Sequence, residues 1–152
     1  MKRHRKYTPS LGTVSHGTLR TEDLLPAFLD ELCAVTPRKH GKLKREARRE
    51  IARHERDNDN DEMNSEIVDD LLDALSEHAP PFMYFGTTEG DGSDFGWWPS
   101  WSEIDELPQF NGTGEAAAEK HFGEFKVVSD HGNVEIYVRH SNGHIKSLLG
   151  IV

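Results

Sequence analysis

The sequence has a single cysteine, Cys33, among 152 residues. One thiol excludes an internal disulfide, and small secreted domains usually carry an even set. It also excludes a zinc site built from thiolates alone. No apolar run approaches the length needed to cross a bilayer. The basic start Met1-Lys2-Arg3-His4-Arg5-Lys6 is not followed by the apolar stretch of a signal peptide. These absences predict a soluble, cytoplasmic protein with no membrane partner. A chain of this length buries about 70% of its unfolded surface on folding, so no covalent staple is needed. Cys33 lies in an apolar helical pattern and reads as a small buried hydrophobe.

Catalytic and cofactor signatures are also missing. There is no HExxH pair, no GxSxG elbow, and no glycine pattern of the Walker or Rossmann type. Asp57-x-Asp59-x-Asp61 starts like a calcium loop, but Glu62 stands where the turn glycine is required and Val68 where the bidentate glutamate is required. The run reads instead as a solvated, helix-capping loop. His140 and His144 flank Asn142-Gly143 and, across a two-residue turn, would lie on opposite faces of the ribbon, unable to share a metal. The sequence therefore predicts no catalytic residue, no cofactor and no metal site.

Cations are scarce in the second part of the chain. Residues 1–56 carry 14 Lys/Arg and 7 Asp/Glu, a balance of +7; residues 57–152 carry 4 and 20, a balance of −16. Such asymmetry points to a charged partner or to two segments of one fold that attract each other.

Residues 1–20 show no helical or strand period and read as a flexible basic arm. Leu24, Leu25, Phe28, Leu29, Leu32 and Val35 form a helical stripe, with Asp23 as N-cap and Pro26 in the first turn. Thr36-Pro37 is a second start signal, leading into a basic helix over Lys39 to Arg56 with a thin stripe of Leu43, Ala47, Ile51 and His54. A third helix, capped by Asn64 or Ser65, buries Val68, Leu71, Leu72, Leu75 and Ala79, and Pro80-Pro81 ends it.

Strand grammar follows. Phe82 to Phe85 and Phe95 to Trp98 flank the turn chemistry of Thr88 to Ser93. Ser102 to Leu107 and Glu115 to Phe122 suit short helices. Phe125 and Val127 alternate with polar residues, and so do Val134, Ile136 and Val138. A two-residue Asn142-Gly143 turn pairing Ser141 with His144 would place Val134, Ile136 and Val138 opposite Ile151, Leu149 and Ser147, and His140 opposite Ile145. The chain thus predicts an α+β fold with N-terminal helices packed on a C-terminal antiparallel meander. Its parts are the arm, 1–20, and one domain, 21–152, with helices in 23–79, an aromatic, glycine-rich hairpin in 82–101, and the meander in 122–152.

Two surfaces stand out. Trp97, Trp98 and Trp101 fall within five positions beside Tyr84, Glu89, Asp91 and Asp94. Adjacent Trp97 and Trp98 point to opposite sides of a strand, so one packs inward and the other is available for contact. This makes Tyr84, Glu89, Asp91, Asp94, Trp97, Trp98 and Trp101 a candidate partner-binding patch, or the aromatic and carboxylate wall of a nucleotide-like pocket. Arg45, Arg48, Arg49 and Arg53, with the basic arm, form a candidate nucleic-acid surface.

The string Pro80-Pro81-Phe82-Met83-Tyr84-Phe85-Gly86, with Glu89-Gly90-Asp91-Gly92-Ser93-Asp94-Phe95-Gly96-Trp97-Trp98-Pro99, resembles a segment of small uncharacterised proteins of bacteriophages and other mobile elements. The resemblance covers about twenty residues strongly and the preceding helices loosely. It transfers no catalytic residue. It implies a non-catalytic accessory protein that binds a host or phage macromolecule, such as a defence or nucleic-acid-handling factor.

Overall fold

The computed structural model describes residues 8–57 and 63–152. The acidic run 58–62 and the first seven residues, which hold most of the basic arm's charge, lie outside the described residues. The fold is α+β, in two compact units, Met1–Trp98 and Pro99–Val152. The division falls inside the aromatic segment.

The first unit holds strand β1 (Gly12–Ser15), helices α1 (Thr21–Val35), α2 (Gly41–Asp57) and α3 (Ser65–Glu77), and the hairpin β2 (Met83–Thr88) and β3 (Asp91–Pro99). The sheet order is β1-β3-β2. Residues 12–15 are therefore an edge strand and not flexible arm: Gly12 pairs with Trp97 and Thr13 with Gly96, antiparallel. Only Val14 in this strand is a strong apolar residue, so the pairing comes from the β3 edge and not from a local pattern.

Helix α1 starts three residues earlier than its capping chemistry suggests. Arg20 is the N-cap, and Pro26 sits inside the helix. Asp23 is not the cap; its carboxylate accepts the Thr18 hydroxyl at 2.7 Å. The stripe is as expected: Leu24, Leu25, Phe28, Leu29 and Leu32 are buried. Thr36 does not open α2. It ends α1, its hydroxyl donating to the Leu32 carbonyl at 2.8 Å. Buried Lys44 reaches back from α2, and its Nζ donates to the Thr36 carbonyl and, at 3.2 Å, to Thr36 Oγ1. An ammonium at a helix C-terminus complements the helix dipole. Burial pushes the Lys44 amine below its ordinary pKa.

Asn64 caps α3 as expected, accepting the Glu66 N–H at 3.0 Å. Phe28 of α1 meets Phe85 and Phe95 of the hairpin edge-on, at 5.2 and 5.3 Å between centroids. Helices α1 and α3 thus pack on the β1-β3-β2 sheet, and α2 packs on those two helices.

The second unit contains α4 (Trp101–Asp105), β4 (Gln109–Asn111), α5 (Gly114–Ala118), β5 (Gly123–Val128), β6 (Val134–Arg139) and β7 (Ile145–Ile151). The expected three-stranded meander is present, extended by β4, which pairs parallel to β5. The meander has its own core. Ala117 and Ala118 of α5 pack with Phe125 and Val127, and Phe110, Tyr137 and Ile145 border them. Gly114 is required here, because a Cβ would lie 2.6 Å from the Tyr137 ring.

The meander register is as read at one end and shifted at the other. Val134 faces Ile151 and Ile136 faces Leu149. Nearer the turn, Tyr137 and not Val138 faces Ser147, and Arg139 and not His140 faces Ile145. The cause is a three-residue loop, Ser141-Asn142-Gly143, closed by His140 N–H to the His144 carbonyl and Gly143 N–H to the His140 carbonyl, both at 2.9 Å. Gly143 has φ +82°, as the left-handed position of such a loop demands. An irregularity beyond Tyr137, with Leu148 as the extra residue, restores the far register. His140 and His144 consequently share a face. Their rings stack at 6.1 Å and 12°, correcting the opposite-face expectation.

Candidate functional site

The predicted aromatic patch separates into three kinds of residue. Trp97 belongs to the core: it is 1% exposed, packs tilted against the Phe85 ring at 4.8 Å between centroids, and donates its indole N–H to Glu31 at 2.8 Å. Hot-spot composition pointed to it, but alternation along β3 turns it inward. Trp98, on the opposite side of the strand, is half-buried and donates to the Gly86 carbonyl at 3.0 Å. Tyr84 lies beside the same glycine and donates to the Thr87 carbonyl at 3.0 Å. Burial, with the Glu89 charge, raises its phenol pKa. Trp101 lies in the other unit, at 40% exposure.

Of the acidic residues of the patch, Asp91 is spent on the turn. Asp91 accepts the Ser93 hydroxyl at 2.7 Å and N–H at 2.9 Å, and pairs with His16 at 3.4 Å. The Ser93 bonds hold its carboxyl below the ordinary range. Glu89 is exposed. Asp94 Oδ1 is buried without a hydrogen-bond partner among the described residues.

The predicted arginines also divide. Arg53 is half-buried and grips Glu50 with two bonds, at 2.7 and 3.1 Å. That grip, with the Asn64 N–H, lowers the Glu50 pKa. Arg48 donates to Cys33 Sγ at 3.3 Å. Cys33 is half-buried, not wholly enclosed. Arg45 and Arg49 are exposed and form neither hydrogen bond nor ion pair among the described residues. Helical spacing places Arg45, Arg49, Ala52 and Arg56, at i, i+4, i+7 and i+11, on one line opposite buried Ala47. Glu46 and Glu55 fall to either side of that line. Arg56 belongs to the surface and was missed, although the same period reveals it. Neither Arg45 nor Arg49 pairs with an α3 carboxylate among the described residues.

Among the described residues of the first unit, two concavities bear on function. One, of about 470 Å³, runs between β1 and α1, lined in part by Asp30, Glu31 and Trp97. The other, of about 430 Å³, lies between α2 and α3. Glu46 of α2 and Asp70, Asp73 and Glu77 of α3 make it acidic, against one lining amine, Lys42. At its end His40 and His78 meet, 2.8 Å between Nε2 atoms. Burial, then the nearby Lys39 charge, lowers the His78 pKa and favours neutral imidazole. Nothing in sequence spacing announces this pair, because the residues are 38 positions apart.

Tyr137, whose phenol is pushed up to about 12 by its hydrogen bond to Glu135, lies in the second unit, away in the chain from Asp91, Glu50 and His78. Among the described residues, no helix is long and apolar enough to cross a membrane. No protein-family model, curated protein or solved structure matches the chain.

Proposed function

We propose that the protein is a non-catalytic accessory factor that binds nucleic acid through the outer face of α2. The observation that carries this reading is the line of Arg45, Arg49 and Arg56, exposed and without carboxylate partners among the described residues. Arginine left unpaired on a rigid helix is pre-organised for phosphate, which it meets with two parallel N–H donors. The α2 spacing of Arg45 and Arg49 is about 6 Å along the axis, so neighbouring guanidiniums reach successive backbone positions. Acidic residues farther than about 8 Å from this line weaken the attraction little, because charges at that separation are largely screened at physiological salt. The resemblance of residues 80–99 to phage and mobile-element proteins fits a factor acting on host or phage nucleic acid.

Such binding is phosphate-led and therefore salt-dependent. Three phosphate contacts on duplex DNA give a log-log slope of about −2.7, a fall of about fortyfold in affinity between 50 and 200 mM salt. Fluorescence anisotropy with a labelled duplex measures it. Arg45→Glu with Arg49→Glu and Arg56→Glu abolishes binding, whereas Lys120→Glu, an exposed change in the second unit, leaves it largely intact. A flat salt response, or binding that survives the triple reversal, sinks the reading.

A second reading rests on the hairpin. Tyr84 and Trp98 lie together over Gly86, both partly exposed, with Glu89 at the adjoining turn. This is the remainder of the aromatic and acidic patch once Trp97 is assigned to the core, and it suits a protein partner.

A further inference from the structure

His40 and His78 come from opposite ends of two helices. His40 directly precedes α2, and its carbonyl accepts the Lys44 N–H at 3.0 Å. His78 follows the last residue of α3, and its N–H bonds back to the Leu75 carbonyl at 3.0 Å. His40 has φ +56°, in the left-handed region that a residue with a side chain rarely adopts. With the backbone so turned, its ring meets that of His78 at 5.0 Å between centroids and 76° between planes. Both rings are half-buried.

Two neutral imidazoles at 2.8 Å can share one N–H···N bond, one as donor and one as acceptor. They can equally direct two lone pairs at one cation. The second use is favoured by a third ligand and by the local field. A Glu77 carboxylate oxygen completes a set of three donor atoms that all lie within 4.8 Å of one another. Glu77 also lines the acidic groove, where Glu46, Asp70 and Asp73 concentrate cations. Two nitrogens on a tetrahedral zinc, each bonded at about 2.05 Å, stand about 3.3 Å apart. To bind one ion the nitrogens need to separate by about half an ångström from their present head-on contact, and the rings to turn so that both lone pairs converge on it.

We propose that His40, Glu77 and His78 form a binding site for a divalent transition metal of the zinc class, with the fourth coordination position open to the α2–α3 groove. Two histidines and one carboxylate are a common donor set for such an open site. The metal would join the start of α2 to the end of α3, so binding would stabilise the folded chain by mass action.

The experiment uses the full chain, stripped with a chelator and titrated with Co²⁺ and then Zn²⁺. The expected result is a visible cobalt band that saturates at one equivalent and is displaced by zinc, with a zinc-dependent rise in melting temperature. His40→Ala and His78→Ala each weaken cobalt binding by about tenfold or more. His140→Ala with His144→Ala, which removes the other stacked pair, leaves it unchanged. Should either single histidine variant fail to fold, Glu77→Gln decides, since its side chain is exposed: weakened binding with an unaltered far-ultraviolet spectrum supports the site. No saturable cobalt band at millimolar metal overturns the proposal. So does equal affinity in wild type and Glu77→Gln, or equal affinity in a folded variant lacking both His40 and His78.

Discussion

Trp97→Ala lowers the stability of the first unit by about 3–5 kcal/mol. The indole is 1% exposed and lies 4.8 Å from the Phe85 ring, which in turn meets Phe28 edge-on at 5.2 Å. Truncation removes both the transfer free energy of the ring and its contacts, and leaves a cavity among aromatic side chains that cannot easily collapse. It also removes the donor to Glu31. Trp97→Phe separates the two effects: most packing remains, and the cost falls to about 1–2 kcal/mol. Trp101→Ala, at a residue 40% exposed, costs about 0.5 kcal/mol or less. Urea denaturation of the three variants gives the ranking. A Trp97→Ala cost below that of Trp101→Ala would return Trp97 to the surface patch.

Gly96→Ala disrupts the edge strand. A Cβ built on Gly96 would stand 2.2 Å from the Gly12 carbonyl oxygen and 2.9 Å from the Gly12 carbonyl carbon and Thr13 Cα. These are backbone atoms of the paired strand, so no rotamer change relieves the overlap. Either β3 and β1 move apart or β1 leaves the sheet. Overpacking of this kind costs about 1–3 kcal/mol or more, and local opening adds faster amide exchange at Thr13 to Ser15 and at Gly17, whose N–H bonds the Ser93 carbonyl at 3.1 Å. Gly92→Ala is the control, because its Cβ meets nothing within 4 Å. Equal stability and equal β1 protection in the two variants would contradict the pairing.

Gly96 also shows why β1 was not legible in the sequence. Residues 12–15 have no strand pattern of their own, and their partner is more than eighty positions away. What admits them is the absence of a side chain on β3. The three main helices were legible, because each carries a run of apolar residues at helical spacing. The Asn64 cap was legible because its hydrogen bond spans two residues. Thr36-Pro37 misled, since the local start signal was outweighed by a tertiary contact: Lys44 satisfies the Thr36 carbonyl and makes it the end of α1. In the meander, alternation set Val134 against Ile151 and Ile136 against Leu149. It failed near the turn, where loop length shifted every pair by one and Leu148 absorbed the difference.

The candidate surfaces were legible to different degrees. Arg45 and Arg49 follow from helical spacing, and Arg56 was within reach of the same reasoning. The roles of Arg48 and Arg53 depend on Cys33 and Glu50 geometry that spacing alone does not fix. Alternation required one of Trp97 and Trp98 to turn inward but could not say which. Phe85, on the neighbouring strand, decides it. The His40–His78 contact arises only when the start of α2 meets the end of α3.

The claim that matters most is that the α2 outer face is the binding surface, and amide chemical-shift mapping tests it most directly. Isotope-labelled protein is titrated with a short DNA duplex at low salt. The predicted result is a contiguous set of shifted amides along the Arg45, Arg49, Ala52 and Arg56 line, fading as salt is raised. Shifts centred on Tyr84, Gly86 and Trp98, or no shifts at all, would contradict it.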